Sequence, residues 1–137
     1  LGFSGTPSAN LRVSPLQVAL AAAALSHGGV RPVPQLAIAV ETATQGWVVF
    51  NPESKPAETF SAAASEKTAL ALASQGNLFW EYSSAGLDKN STISWYLAGT
   101  LPGWQGTPLA VVVALEEDDP ALARSIGRGA LAKAFGD

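Results

Sequence analysis

Cysteine and methionine are both absent from this chain of 137 residues. Without cysteine there is no disulfide framework, no thiol nucleophile and no thiolate metal site. Charge is also scarce: Asp, Glu, Lys and Arg make up 14% of the residues, and the net charge is −3. No basic cluster exists, so the electrostatic footprint of a nucleic-acid-binding protein is missing, as is one suited to an anionic membrane surface. No apolar run reaches the roughly 18 residues that a bilayer-spanning helix requires. The longest, residues 16–25, is too short and is bounded by proline and glycine, so no membrane segment is expected in this chain. Internal repeats and low-complexity tracts are lacking as well, and nothing in the chain requires a cofactor.

What is present is apolar. Hydrophobic residues account for 47% of the chain, which fits a globular protein and not a disordered one. Its length suits one domain or part of one, able to bury roughly two-thirds of its unfolded surface. Because it starts at Leu1 and contains no methionine, the chain reads as a processed product or a piece of a longer protein.

The most complete local signal runs from Arg12 to Pro34. Ser14 is an N-cap whose hydroxyl can accept from an orphan amide of the first turn. Pro15 follows at the first helical position, where its missing N–H costs nothing. Leu16, Ala19, Leu20, Ala23 and Ala24 form an apolar stripe at i, i+3, i+4 spacing. Gly28 and Gly29 supply a left-handed stop, and Pro32 and Pro34 forbid continuation. Before this helix, residues 1–13 read as a loop. After it, Gln35–Thr42 and Gly46–Phe50 are expected to pair as a hairpin, with Asn51–Glu58 as a connector. A second helix is expected from about Ala62 to Ser74, stopping at Gly76. Three strands follow, at about Asn77–Ser84, Thr92–Thr100 and Leu109–Glu116, separated by turns at Gly86–Asn90 and Pro102–Thr107. Asp118 or Asp119 caps a last helix with Pro120 in its first turn and Leu122, Ile126, Ala130 and Leu131 on its buried side.

The S-P-L-Q-V-A start, the H-G-G stop and the P-x-P exit together resemble a block of the penicillin-binding transpeptidases of bacterial cell-wall synthesis. Ser65–Leu72 is similar to the helix before that family's third active-site motif, and Trp95–Gly99 to its W-F-x-G-Y strand. Ala110–Glu116 looks like its penultimate element. The resemblance implies an α+β fold, with an antiparallel sheet of about three to five strands packed with helices, and makes residues 1–137 a single partial domain, the C-terminal part of the transpeptidase unit. It further implies D-Ala-D-Ala peptide chemistry, β-lactam or stem-peptide binding through the full domain, and an extracytoplasmic location.

The family's motifs are not intact here. A nucleophilic serine with a lysine one turn later can pass its proton to that lysine, yet no Ser-x-x-Lys precedes any of Lys55, Lys67, Lys89 or Lys133. That motif and the second one lie upstream in the family, so the nucleophile half is expected outside this chain. The third, Lys-Thr-Gly, holds a substrate carboxylate through its cation and hydroxyl, and its place falls within Glu81–Leu87. Ser83, Ser84, Ala85 and Gly86 are the candidate substrate-binding residues, the hydroxyls and glycine standing for the last two positions. Tyr82, Ser83 or, in another register, Glu81 occupies the lysine position, so the segment offers no cation, and Glu81 is expected to repel a carboxylate. The same stretch also reads as ordinary strand and turn with a polar face. No catalytic or metal-ligating residue is assigned.

Other features have plainer readings. His27 suits a helix C-terminus, and one Asp of the run Glu116–Asp119 suits the next helix start. Asn90-Ser-Thr92 matches a glycosylation pattern but reads as a turn, and Trp104 is the tryptophan expected to be exposed. Three functions stay open: a transpeptidase-like protein whose nucleophile lies elsewhere, a catalytically inactive relative acting as a scaffold or interaction module in wall assembly, and an unrelated small interaction domain. Unpaired apolar sheet edges invite pairing, so self-association or association with the missing half is expected.

Overall fold

A computed structural model describes residues 13–35, 37–52, 54–73, 78–88 and 91–136. The expected stop at Gly76, the sequon residue Asn90 and all but Val13 of the N-terminal loop lie outside the described residues. Helix α1 spans Pro15–Ser26. Its start is a reciprocal capping box: the Gln17 amide donates to Ser14 Oγ at 3.2 Å, and the Ser14 amide donates to Gln17 Oε1 at 2.8 Å. His27 sits at the C-cap, followed by Gly28 and Gly29 at φ of +62° and +89°. At Gly29 a side chain would collide with the Phe60 carbonyl, so this position is restricted by space as well as by φ. Its own carbonyl accepts from the Thr59 amide at 2.9 Å.

That contact closes a loop. Strand β1, Val30–Arg31, pairs antiparallel with strand β4, Ala57–Glu58, a short strand inside the expected connector. Between them β2, Ala39–Thr42, and β3, Gly46–Val49, form the expected hairpin, shorter than its apolar runs. Gly46 adopts φ +65°, and Thr42 Oγ1 accepts from the Gln45 amide at 3.1 Å. Helix α2, Ala62–Leu72, is capped by Ser61. Ser65 Oγ donates to the Leu25 carbonyl of α1 at 2.7 Å, tying the two helices together.

The main sheet is β5 (Phe79–Asp88), β6 (Ser91–Thr100) and β7 (Ala110–Leu115), antiparallel in the order β5-β6-β7. Helix α3, Pro120–Phe135, is capped by Asp119, whose Oδ1 accepts from the Leu122 amide at 2.8 Å. It lies across one face of the sheet, where Tyr96, Ala98, Ala123 and Leu131 are buried with Phe79, Val111 and Val113 against them. Helices α1 and α2 cover the other face, burying Ala22, Ala69 and Trp80 with Leu25, Leu97 and Val112. The architecture is therefore α+β, with, among the described residues, three strands in the main sheet and two further two-stranded ladders. Among the described residues no helix is long and apolar enough to cross a membrane.

Both helix stripes differ from expectation. In α1 the buried residues are Ala22, Ala24 and Ser26, while Leu16 is exposed. An almost uniformly apolar helix has no contrast from which to read a face. In α3 the buried residues are Ala123, Gly127 and Leu131, and Leu122, Ile126 and Ala130 are exposed. Close approach decides that orientation: a side chain at Gly127 would strike the Tyr96 ring. The larger residues flank the contact because only the small ones fit into it. Trp104 is half-buried, its ring centroid 5.0 Å from that of Phe135, and Trp47 is the exposed tryptophan.

Candidate functional site

Ser83, Ser84, Ala85 and Gly86 all lie on β5, opposite Tyr96, Trp95, Ser94 and Ile93. The expected turn begins too early, since the ladder continues to Asp88 opposite Ser91 and Gly86 is a strand residue. Side chains alternate across a strand. Ser83 therefore shares the α3 face with Phe79 and Glu81, and Ser84 shares the α1–α2 face with Trp80 and Tyr82. Two neighbouring hydroxyls that looked like partners are separated by the sheet itself. What they share is the edge of β5, which among the described residues is paired on its outer side only where Ala73 bridges to Trp80.

Glu81 does not stand as a free repelling charge. Its side chain is only 6% exposed and faces two guanidinium groups from α3. Arg128 donates from Nη2 to Oε1 at 2.6 Å and from Nε to Oε2 at 3.0 Å. Arg124 donates from Nη2 to Oε1 and from Nε to Oε2. The Tyr96 hydroxyl donates to Oε2 at 3.0 Å from beneath. These charge-assisted bonds, Arg128 first, outweigh burial and hold the Glu81 carboxyl at about 2. Burial, and then the bond to Glu81, pushes the Tyr96 hydroxyl up to about 12. A carboxylate held this acidic is a poor base at neutral pH, and with its bonds to Arg124, Arg128 and Tyr96 it forms an ion-pair network.

Beside it opens a cavity of about 440 Å³ lined by Ser83, Pro120, Ala121, Arg124, Ser125 and Arg128. On the opposite face a second cavity of about 510 Å³ lies between α1, α2 and the sheet, walled by Leu25, Phe60, Leu72, Trp80 and Tyr82. It is nearly all apolar, and the indole donor of its Trp80 wall is satisfied by α1: Trp80 Nε1 donates to Ser26 Oγ at 2.9 Å.

The strand itself supplies no cation at its third-motif stretch, but α3 brings two to its face. Sequence reasoning missed Arg124, Arg128 and Tyr96. Two arginines four apart on one helix were a signal of a shared face. Of the expected stripe, Leu122, Ile126 and Ala130 lie one position before the buried Ala123, Gly127 and Leu131, and only Leu131 meets the buried face, which hides the arginine face. Comparison with protein-family models, curated proteins and solved structures finds no match to this chain.

Proposed function

We propose that this chain is part of a penicillin-binding transpeptidase-like protein of bacterial peptidoglycan synthesis, where it acts as a catalytically inactive scaffold or interaction module on the extracytoplasmic side of the membrane. The supporting pattern is a capped S-P-L-Q helix followed by a three-stranded antiparallel sheet with the last helix laid across it. The observation that favours the inactive form is the edge strand β5. At the place of a Lys-Thr-Gly motif it carries Ser83, Ser84, Ala85 and Gly86, and its neighbour Glu81 is fully engaged by α3. On the Ser84 face of that strand a carboxylate would lack the charge-assisted partner that the family's lysine provides, a loss of about 1.5–3 kcal/mol when desolvated; the arginines of α3 stand on the opposite, Ser83 face.

A second reading, an active transpeptidase whose nucleophile lies on another segment, draws on the outer edge of β5, which among the described residues is paired only at the Ala73–Trp80 bridge. An extended peptide can add to such an edge as a further strand. A fluorescent penicillin separates the two when incubated with the complete gene product and resolved under denaturing conditions. The scaffold reading expects no covalent band, together with retention of the protein on purified peptidoglycan. A covalent band establishes the enzymatic reading, and failure to bind peptidoglycan removes the wall connection.

A further inference from the structure

The cavity beside Glu81 has a charge imbalance that the fold does not need. One buried carboxylate would be neutralised by one guanidinium, yet α3 places both Arg124 and Arg128 against it, leaving a surplus of one positive charge. Each guanidinium spends Nε and Nη2 on Glu81, so Nη1 keeps its two N–H donors free of any partner among the described residues. Arg128 is also held over the Phe79 ring, with Cζ 5.8 Å from its centroid. Both heads are therefore fixed before any ligand arrives, which lowers the ordering cost of binding. Their side chains remain nearly half exposed, at 47% and 45%. The cavity they open onto also presents the Ser83 and Ser125 hydroxyls and the apolar edges of Pro120 and Ala121.

We propose that this cavity is a binding site for a small organic monocarboxylate, its carboxylate received by the outward donors of Arg124 and Arg128 and its short apolar body lying against Pro120 and Ala121. The surplus of a single charge suits a monoanion. A phosphate dianion would exceed it, next to the acidic run Glu116–Asp119 that leads into α3. The hydroxyls of Ser83 and Ser125 complete the oxyanion's hydrogen bonds. The site lies on the α3 face and stands independently of the wall-assembly reading.

N-acetylglycine is a suitable probe, with its ethyl ester as the neutral control and sodium chloride at matched ionic strength as the salt control. Backbone amide NMR on the whole chain should show saturable shifts at Ser83, Ala121, Arg124 and Ser125, with a Kd on the order of millimolar, as expected for a half-exposed ion pair. Arg124→Gln should weaken binding about tenfold, by losing one charge-assisted partner. Ser125 makes no hydrogen bond to Glu81 among the described residues but lines the cavity beside Arg124 and Arg128, so an acid there takes up the surplus charge and repels an incoming carboxylate while leaving the Glu81 bonds in place. Ser125→Asp should keep the melting temperature and abolish the shifts. Equal shifts with the ester or with salt alone, or unchanged binding in a folded Ser125→Asp variant, would overturn the proposal.

Discussion

Gly127 and Glu81 each carry a consequence that their neighbours do not share. Gly127 lets α3 touch the Tyr96 ring, although glycine inside a helix costs about 1 kcal/mol relative to alanine. In Gly127→Ala the helix gain and the collision oppose one another. Overpacking against a fixed ring costs about 1–3 kcal/mol, so a net loss of stability is expected in urea unfolding, and a gain would show that α3 can lift away freely. At Glu81 the native carboxyl titrates at about 2 and the ordinary value is 4.5. As pH falls below about 4.5 the unfolded chain takes up the proton first, so Glu81's contribution is complete above that range and is lost as pH drops towards about 2. Because its two partners are nearly half exposed, the contribution is roughly 1–3 kcal/mol. Urea midpoints measured from pH 5 to 2 should fall in the parent chain, and that part of the fall should vanish in Glu81→Gln.

The secondary elements were legible where their signals are chemical and obscure where they depend on partners. Ser14, Pro15, Gly28 and Gly29 announce α1, and Asp119 with Pro120 announces α3, because caps satisfy local hydrogen bonds. The hairpin and the three strands of the sheet were likewise readable from apolar runs between turn residues. The faces of the helices were not. The all-apolar body of α1 hides its orientation, and α3 is oriented by the bulk of Tyr96, a residue on another element. The β1–β4 pair was invisible because two-residue strands have no periodicity. Of the candidate stretch, Ser83 and Ser84 were expected on this strand and Gly86 in the turn after it; that Ala85 and Gly86 continue the ladder, and that the stretch divides between two faces, required the register with β6. One side-chain bond ties α1 to the sheet on the face it covers: Trp80 Nε1 to Ser26 Oγ, both buried. Ser26→Ala leaves that buried indole donor without its partner, so a loss of about 1–3 kcal/mol in unfolding free energy is expected, with a change in the tryptophan emission of the native state.

At the scale of the whole molecule, apolar surface is distributed unevenly. Tyr82 of the edge strand β5 and Leu78 just before it are exposed, and the hairpin and its flanks leave Ile38, Val40, Trp47, Val49 and Phe50 exposed. Exposed apolar patches beside an unpaired edge mark association surfaces. Sedimentation velocity over a concentration series should therefore show species heavier than a monomer, and a single monomeric boundary at high concentration would exclude self-association. Replacing Trp47 and Val49 with Thr should shift that distribution towards monomer without moving the melting temperature, because neither side chain enters either core cluster.

The clasp between Gly29, Thr59 and the β1–β4 pair brings Val30 opposite Glu58 and Arg31 opposite Ala57, so the chain leaves and re-enters the body at neighbouring points. The β2–β3 hairpin that lies between is an appendage on a closed neck. Such a neck makes the intervening stretch a natural cassette: it can be shortened, exchanged or lengthened at little cost in closure entropy, while both layers around the main sheet stay in place.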